Sequence, residues 1–196
     1  WKFADVTKNA GVGACDRHSS GAAFADVDGD GDLDLILLAT TGPNVIFIND
    51  GKGHFTEHRD LGLDTTGRGG TTLTMADVDG DGRLDLYVAN YKAYSPVDTI
   101  PPAQRASNQI VHQVAPGRYE VVPERRKDFK LVIRPDMGGM NLTMLGEHDD
   151  FYVNEGGHFR RVPLTADRFH DAQGQRLARD AESFGLHPRF VDLTGN

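Results

Sequence analysis

An all-β architecture of repeated four-stranded antiparallel units is predicted by three observations. Short β-rich apolar runs such as DLILLAT and DLYVAN alternate with Gly- and Asp-rich turns, the pattern of strands closed by tight turns. The motif DVDGDGDLD at Asp26 to Asp34 returns as DVDGDGRLD at Asp77 to Asp85, 51 residues later, and a fixed period of that size marks a repeat fold. The turn NDGKGHF at Asn49 to Phe55 returns as NEGGHF at Asn154 to Phe159, so the copied unit extends well past the loop. Four short antiparallel strands per repeat make one blade of a β-propeller, and the chain holds part of such a ring.

Taken in order, Trp1 to Val6 reads as the last strand of a preceding unit, because Phe3 stands 52 residues before Phe55. Residues 1–20 are then that strand and its connection. The first complete blade spans 21–62, with strand A at about 21–27, strand B at 33–39, strand C at 44–49 and strand D at 54–58. A second blade spans 72–163, with strand C near 150–154 and strand D near 158–162. FVDLTGN at Phe190 to Asn196 aligns with FADVDGD, so 186–196 begins a further blade. Two blades cannot close a ring, and the open edges predict that the chain is a piece of a longer protein.

The repeated loops carry the chemistry. Aspartate stands at positions 1, 3, 5 and 9 of nine: Asp26, Asp28, Asp30, Asp34 and Asp77, Asp79, Asp81, Asp85. An all-oxygen set folded around one point suits calcium, which takes six to eight oxygens at about 2.3 to 2.6 Å. Glycine at position 6, Gly31 and Gly82, permits the sharp turn. Position 7 is Asp32 in one loop and Arg83 in the other, as expected where only the backbone carbonyl serves. An EF-hand would need a glutamate at position 12 and flanking helices, but position 12 is Leu37 or Val88 and both flanks read as strands. The third loop offers Asp192, Thr194 and Asn196, a set with fewer charges and therefore a weaker site.

With 38% hydrophobic and 8% aromatic residues the chain can pack a core, and its net charge of −8 is concentrated in the aspartate loops. Without those loops it is nearly neutral, which argues against nucleic acid as a partner, since phosphates call for a continuous basic stripe. Arg125-Arg126-Lys127 is flanked by Glu124 and Asp128 and reads as a solvated turn. The longest apolar run, Leu35 to Ala39, is far short of the roughly 18 residues that insert into a membrane. A single cysteine, Cys15, gives no disulfide framework; it is a half-buried thiol or pairs outside this segment.

The connections point to binding. In an A-B-C-D meander the A-B turns, which hold the aspartates, lie on one face, and the B-C and D-A connections lie on the other. The first B-C turn is about four residues, whereas the second runs from about 91 to 149, contains six of the nine prolines and holds two predicted strands, 119–122 and 129–133. The D-A connection at 164–186 is also long, and AQGQRLARDAESF suggests a short helix. Both enlargements fall on the face opposite the aspartates, and loops on a rigid scaffold are the usual place for binding. A protein or polysaccharide ligand on that face is expected, with self-assembly as a further option.

A search for catalytic residues finds little. His54 and His58 lie about 13 Å apart on a strand, Glu147-His148-Asp149-Asp150 straddles the start of a strand, and no nucleophile elbow, zinc or phosphate-loop motif occurs. Asn141-Leu142-Thr143 has the form of a glycosylation sequon.

On the words FADVTKNAGV, AFADVDGDGDLDL, DLYVANY, LGEHDDFYVNEGGHF and FGLHPRFVDLTGN, the chain resembles FG-GAP/VCBS calcium-loop repeats. It is most similar to the bacterial branch of the cartilage acidic protein (ASPIC/UnbV) family, and more distantly to integrin α-subunit propellers. The resemblance implies an extracellular, cell-surface or periplasmic location and a role in binding, adhesion or scaffolding. A carbohydrate-active propeller enzyme and a structural subunit of a surface assembly are the alternatives.

Overall fold

The computed structural model describes residues 1–63, 67–134, 139–180, 182–183 and 188–191. A short helix, α1 (Thr7–Ala10), is followed by strands β1 (His18–Ala25), β2 (Asp34–Thr41), β3 (Val45–Asn49) and β4 (Phe55–His58). They form one antiparallel sheet in the order β1-β2-β3-β4. Next come β5 (Gly70–Ala76) and β6 (Asp85–Asn90), after which residues 94–146 form a compact unit of their own. That unit contains two short helices, α2 (Pro96–Thr99) and α3 (Ser107–Ile110), and two hairpins. The hairpins pair β7 (Val111–Ala115) with β8 (Arg118–Val121) and β9 (Phe129–Arg134) with β10 (Gly139–Met144). The chain then returns through β11 (Glu147–His148), β12 (Asp150–Asn154), β13 (Phe159–Val162) and β14 (Glu182–Ser183). A second four-stranded antiparallel sheet results, in the order β13-β12-β6-β5. Among the described residues the regular structure is therefore β, apart from helical turns of three or four residues.

Alternation along the strands builds the core. In β2, Asp34, Ile36 and Leu38 are buried at two-residue spacing, the period that sends one face of a strand inward. Ile36, Leu38 and Ile46 of the first sheet join Leu86, Val88, Tyr152 and Phe159 of the second in one cluster. The two sheets thus share a single hydrophobic core. The other side of the second sheet is covered by the segment after β13: Phe151, Val153 and Val162 pack with Leu164, Phe169 and Leu177, and Phe151 meets Phe169 edge-on at 5.1 Å. Residues 94–146 have a separate small core of Ile100, Ile110, Val121 and Phe129.

Several expectations change. Residues 1–6 are not in a strand, since a strand needs a partner and none is found among the described residues; Phe3 is 95% exposed. Instead the Asp5 carboxylate accepts from the Thr7 amide at 2.9 Å just ahead of α1, and Gly11 ends the helix in the left-handed region at φ 77°. Among the described residues of AQGQRLARDAESF there is no helix. Asp171 takes the amides of Gln173 and Gln175, both at 2.9 Å, and side-chain acceptance of this kind favours a turn over a helix. The segment 94–146 has four strands rather than two. Cys15 is exposed. Asp192, Thr194 and Asn196 lie outside the described residues.

Candidate metal centres

Both aspartate loops connect the first two strands of a sheet: 26–33 joins β1 to β2, and 77–84 joins β5 to β6. Strands flank them on both sides, so the loops are not EF-hands. Each loop is shaped by its own first aspartate. Asp26 accepts from the amides of Gly29 at 2.8 Å and Gly31 at 3.1 Å. Asp77 accepts from Gly80 at 2.7 Å, Asp81 at 3.1 Å and Gly82 at 2.9 Å. Gly31 and Gly82 have φ of 94° and 86°, a region that side chains disfavour; this is why the sixth position is glycine.

In the first loop Asp26, Asp28 and Asp34 bring carboxylate oxygens within 4.8 Å of one another, and in the second Asp77, Asp79 and Asp81 do the same. Asp30 and Asp85 stand outside these groups. Asp30 accepts from the Asp32 amide at 2.9 Å, and Asp81 accepts from the Arg83 amide at 2.9 Å. The side chain at position 7 differs in consequence. The Arg83 guanidinium pairs with the Asp81 carboxylate and donates through Nε to the Asn154 carbonyl at 2.9 Å, whereas Asp32 adds a further negative charge to the first loop.

Position 9 has a second task. Asp34 and Asp85 are both fully buried, and each carboxylate bridges two strands. Asp34 accepts from the amides of Val27 and Asn49, both at 2.9 Å; Asp85 accepts from Val78 at 3.2 Å and Asn154 at 3.0 Å. Burial pushes both carboxyls above their ordinary range against the pull of these amides, and neighbouring aspartates push the same way. A hard cation bound by three clustered carboxylates would relieve that crowding. The donor set therefore fits calcium: all oxygen, multiply charged, and with no nitrogen or sulfur ligand that would select a softer metal.

At the opposite end of the second sheet, polar groups close the neck of the 94–146 excursion. Asp149 accepts from the Asn90 amide at 2.9 Å and the Tyr87 hydroxyl at 2.8 Å. Asp150 holds Arg68 at 3.0 Å and also binds Arg161 and the Asn90 side chain. Burial, then the Asp149 charge, raises the Tyr87 phenol well above its usual range. Asp149 and Asp150 of Glu147-His148-Asp149-Asp150 thus serve in a clasp, and the Glu147 carboxylate pairs with Lys92 at 3.8 Å. His54 and His58 pair separately with Asp50 at 3.1 Å and Asp60 at 3.5 Å.

With this geometry in place, similarity to known proteins is informative. A family model described as FG-GAP-like repeat matches residues 26–88. The match runs from the first aspartate of loop one through the second loop into β6. Cartilage acidic protein 1 of Mus musculus is 26% identical over 207 aligned residues, 97% of this chain and 31% of the mouse protein. Cartilage acidic protein 1 of Homo sapiens aligns with the same identity and coverage. These matches agree with the likeness to calcium-loop repeats and to cartilage acidic protein read from the repeated words, and the chain spans 31% of the length of these relatives. No helix among the described residues is long and apolar enough to cross a membrane.

One residue of the site escaped the sequence reading. Asn154 sits at the end of β12, where it touches both loops. Its signal was available, since Asn49 opens the same turn in the first repeat.

Proposed function

We propose that this chain supplies neighbouring blades of a calcium-stabilised β-propeller in a secreted or cell-surface protein that acts in binding, adhesion or scaffolding. The observation supporting it is the repetition of one device: a four-stranded sheet whose first turn gathers three carboxylates. Similarity to cartilage acidic protein 1 supports the extracellular placement.

Calcium is integral to this reading. Asp26, Asp28, Asp30 and Asp34 with the Asp32 carbonyl form one site, and Asp77, Asp79, Asp81 and Asp85 with the Arg83 carbonyl form the other. Affinity in the extracellular range, about 10⁻⁴ to 10⁻³ M or tighter, is expected. At a hundredfold excess over Kd one site adds about 2.7 kcal/mol to stability. Calorimetry on chelated protein tests this, with heat on calcium addition and a rise in Tm as the expected result. Among the described residues the Asp28 carboxylate accepts one hydrogen bond, from the Asp30 amide at 3.2 Å, so Asp28→Ala should lower Tm in calcium and match wild type in excess chelator. A Tm indifferent to calcium would remove the metal reading.

Partner contacts are assigned to residues 91–149 and 164–186. Residues 94–146 have their own core, and the Tyr91 carbonyl accepts from the Glu147 amide at 3.1 Å, so the excursion starts and ends at adjacent points. Joining Ala93 to Glu147 through a short Gly-Ser turn should leave folding and the calcium response intact while abolishing ligand binding. An array of extracellular proteins and polysaccharides, probed with both forms, checks it. Ligands retained by the shortened protein would move the contact elsewhere.

A further inference from the structure

We infer that Asn154 couples the two aspartate loops, so that loading either with calcium strengthens the other; the inference rests on the metal reading above. Four hydrogen bonds run from one loop to the other. The Asp34 carboxylate accepts from the Val27 amide at 2.9 Å. The Val27 carbonyl accepts from Asn154 Nδ2 at 2.9 Å, a contact between the first loop and the second sheet. The Asn154 amide donates to Asp85 at 3.0 Å, and the Asn154 carbonyl accepts from Arg83 Nε at 2.9 Å. One residue thus holds the peptide between the ligand candidates Asp26 and Asp28 while gripping positions 7 and 9 of the other loop.

A second contact points the same way. The turn that Asn154 opens is closed by its own Oδ1, which accepts from the Gly157 amide at 2.9 Å. A Cβ at Gly157 would stand 3.2 Å from the Asp28 Cβ, so the turn rests directly against a ligand candidate of the other sheet. Asn49 shows what the link adds. It opens the corresponding turn, one residue longer, with Gly53 donating to its Oδ1 at 3.2 Å, but its Nδ2 donates to the Leu33 carbonyl in the loop of its own repeat at 3.1 Å. Asn154 is buried and Asn49 is half-buried. Asn154 is therefore a positioning residue. Ordering of the second loop by calcium fixes Asp85 and Arg83, hence Asn154, hence the Val27 and Asp28 backbone. Loop one then loses less freedom when its own ion arrives, and by linkage the effect is reciprocal.

Calcium titration of the full chain by calorimetry provides the test. Asp79→Ala leaves only loop one to bind and Asp28→Ala leaves only loop two. The product of the two wild-type association constants should exceed the product of these single-loop constants by roughly fivefold or more, the lower end of ordinary coupling. In the Asn154→Ala background the two products should agree, while Asn49→Ala should keep the excess. Should Asn154→Ala fail to fold, hydrogen exchange on Asp28→Ala protein decides instead: calcium at loop two alone should slow exchange of the Gly29 and Gly31 amides in loop one. Equal products in wild type, or unchanged loop-one exchange, would overturn the coupling and leave the metal sites standing. Absence of calcium heat at both loops would overturn the two together.

Discussion

Asp34→Ala is expected to cost about 3 to 5 kcal/mol of stability, most of which remains in excess chelator. The side chain is fully buried and accepts from the Val27 and Asn49 amides at 2.9 Å each. Alanine would leave two donors without an acceptor, at about 1 to 3 kcal/mol for each buried group. The contrast with Asp28→Ala is the useful part, since Asp28 is exposed and its loss matters mainly through the ion. Urea unfolding of both variants, with calcium and with chelator, separates the two roles. Convergence of Asp34→Ala with wild type in chelator would show that position 9 acts only through the metal. Asp34→Asn keeps the shape and one acceptor, and should fall between.

Phe159→Ala is expected to remove about 3 to 5 kcal/mol, as truncation of a core phenylalanine usually does. The ring is buried in the cluster shared by both sheets, and the Phe159 amide donates to the Leu61 carbonyl of the preceding repeat at 2.8 Å. Because one core serves two sheets, they should melt together, in a single transition shifted to lower temperature. Two separated transitions in the variant, with the first sheet unmoved, would show that the sheets are stabilised independently.

Legibility in the sequence followed repetition. β3 was expected at 44–49 and runs Val45–Asn49, and β12 was expected near 150–154 and runs Asp150–Asn154. In these segments apolar alternation and a second copy agree. β7 and β10 were not anticipated. They lie in 94–146, which has no counterpart in the first repeat, and GMNLTM carries a glycine and an asparagine that weaken a strand signal. Residues 172–180 hold good helix formers, yet tertiary packing of Leu177 and the Asp171 turn prevail there. Composition alone could not foresee that.

Within the loops, the aspartates were legible as a set but not by role. Asp26 and Asp34 are the same residue type eight positions apart, and only burial and bonding reveal that one shapes the loop while the other also ties the loop and β2 to β3. Asn154 shows a different limit. Its turn is a visible copy, but the carbonyl that receives its side chain belongs to Val27, 127 residues away. A contact across that separation depends on how two sheets meet, which no local pattern encodes.

The neck above β6 and β12 makes the second sheet a socket. Asn90, Asp149 and the Tyr91 to Glu147 hydrogen bond seal the sheet whatever is threaded through it, and closing a longer loop between fixed ends adds little entropy cost, about 0.6 kcal/mol per doubling. Foreign modules with adjacent termini, such as a small enzyme or a fluorescent reporter, should therefore be exchangeable for residues 94–146. Descendants of the same blade could change what they carry without redesigning what carries it.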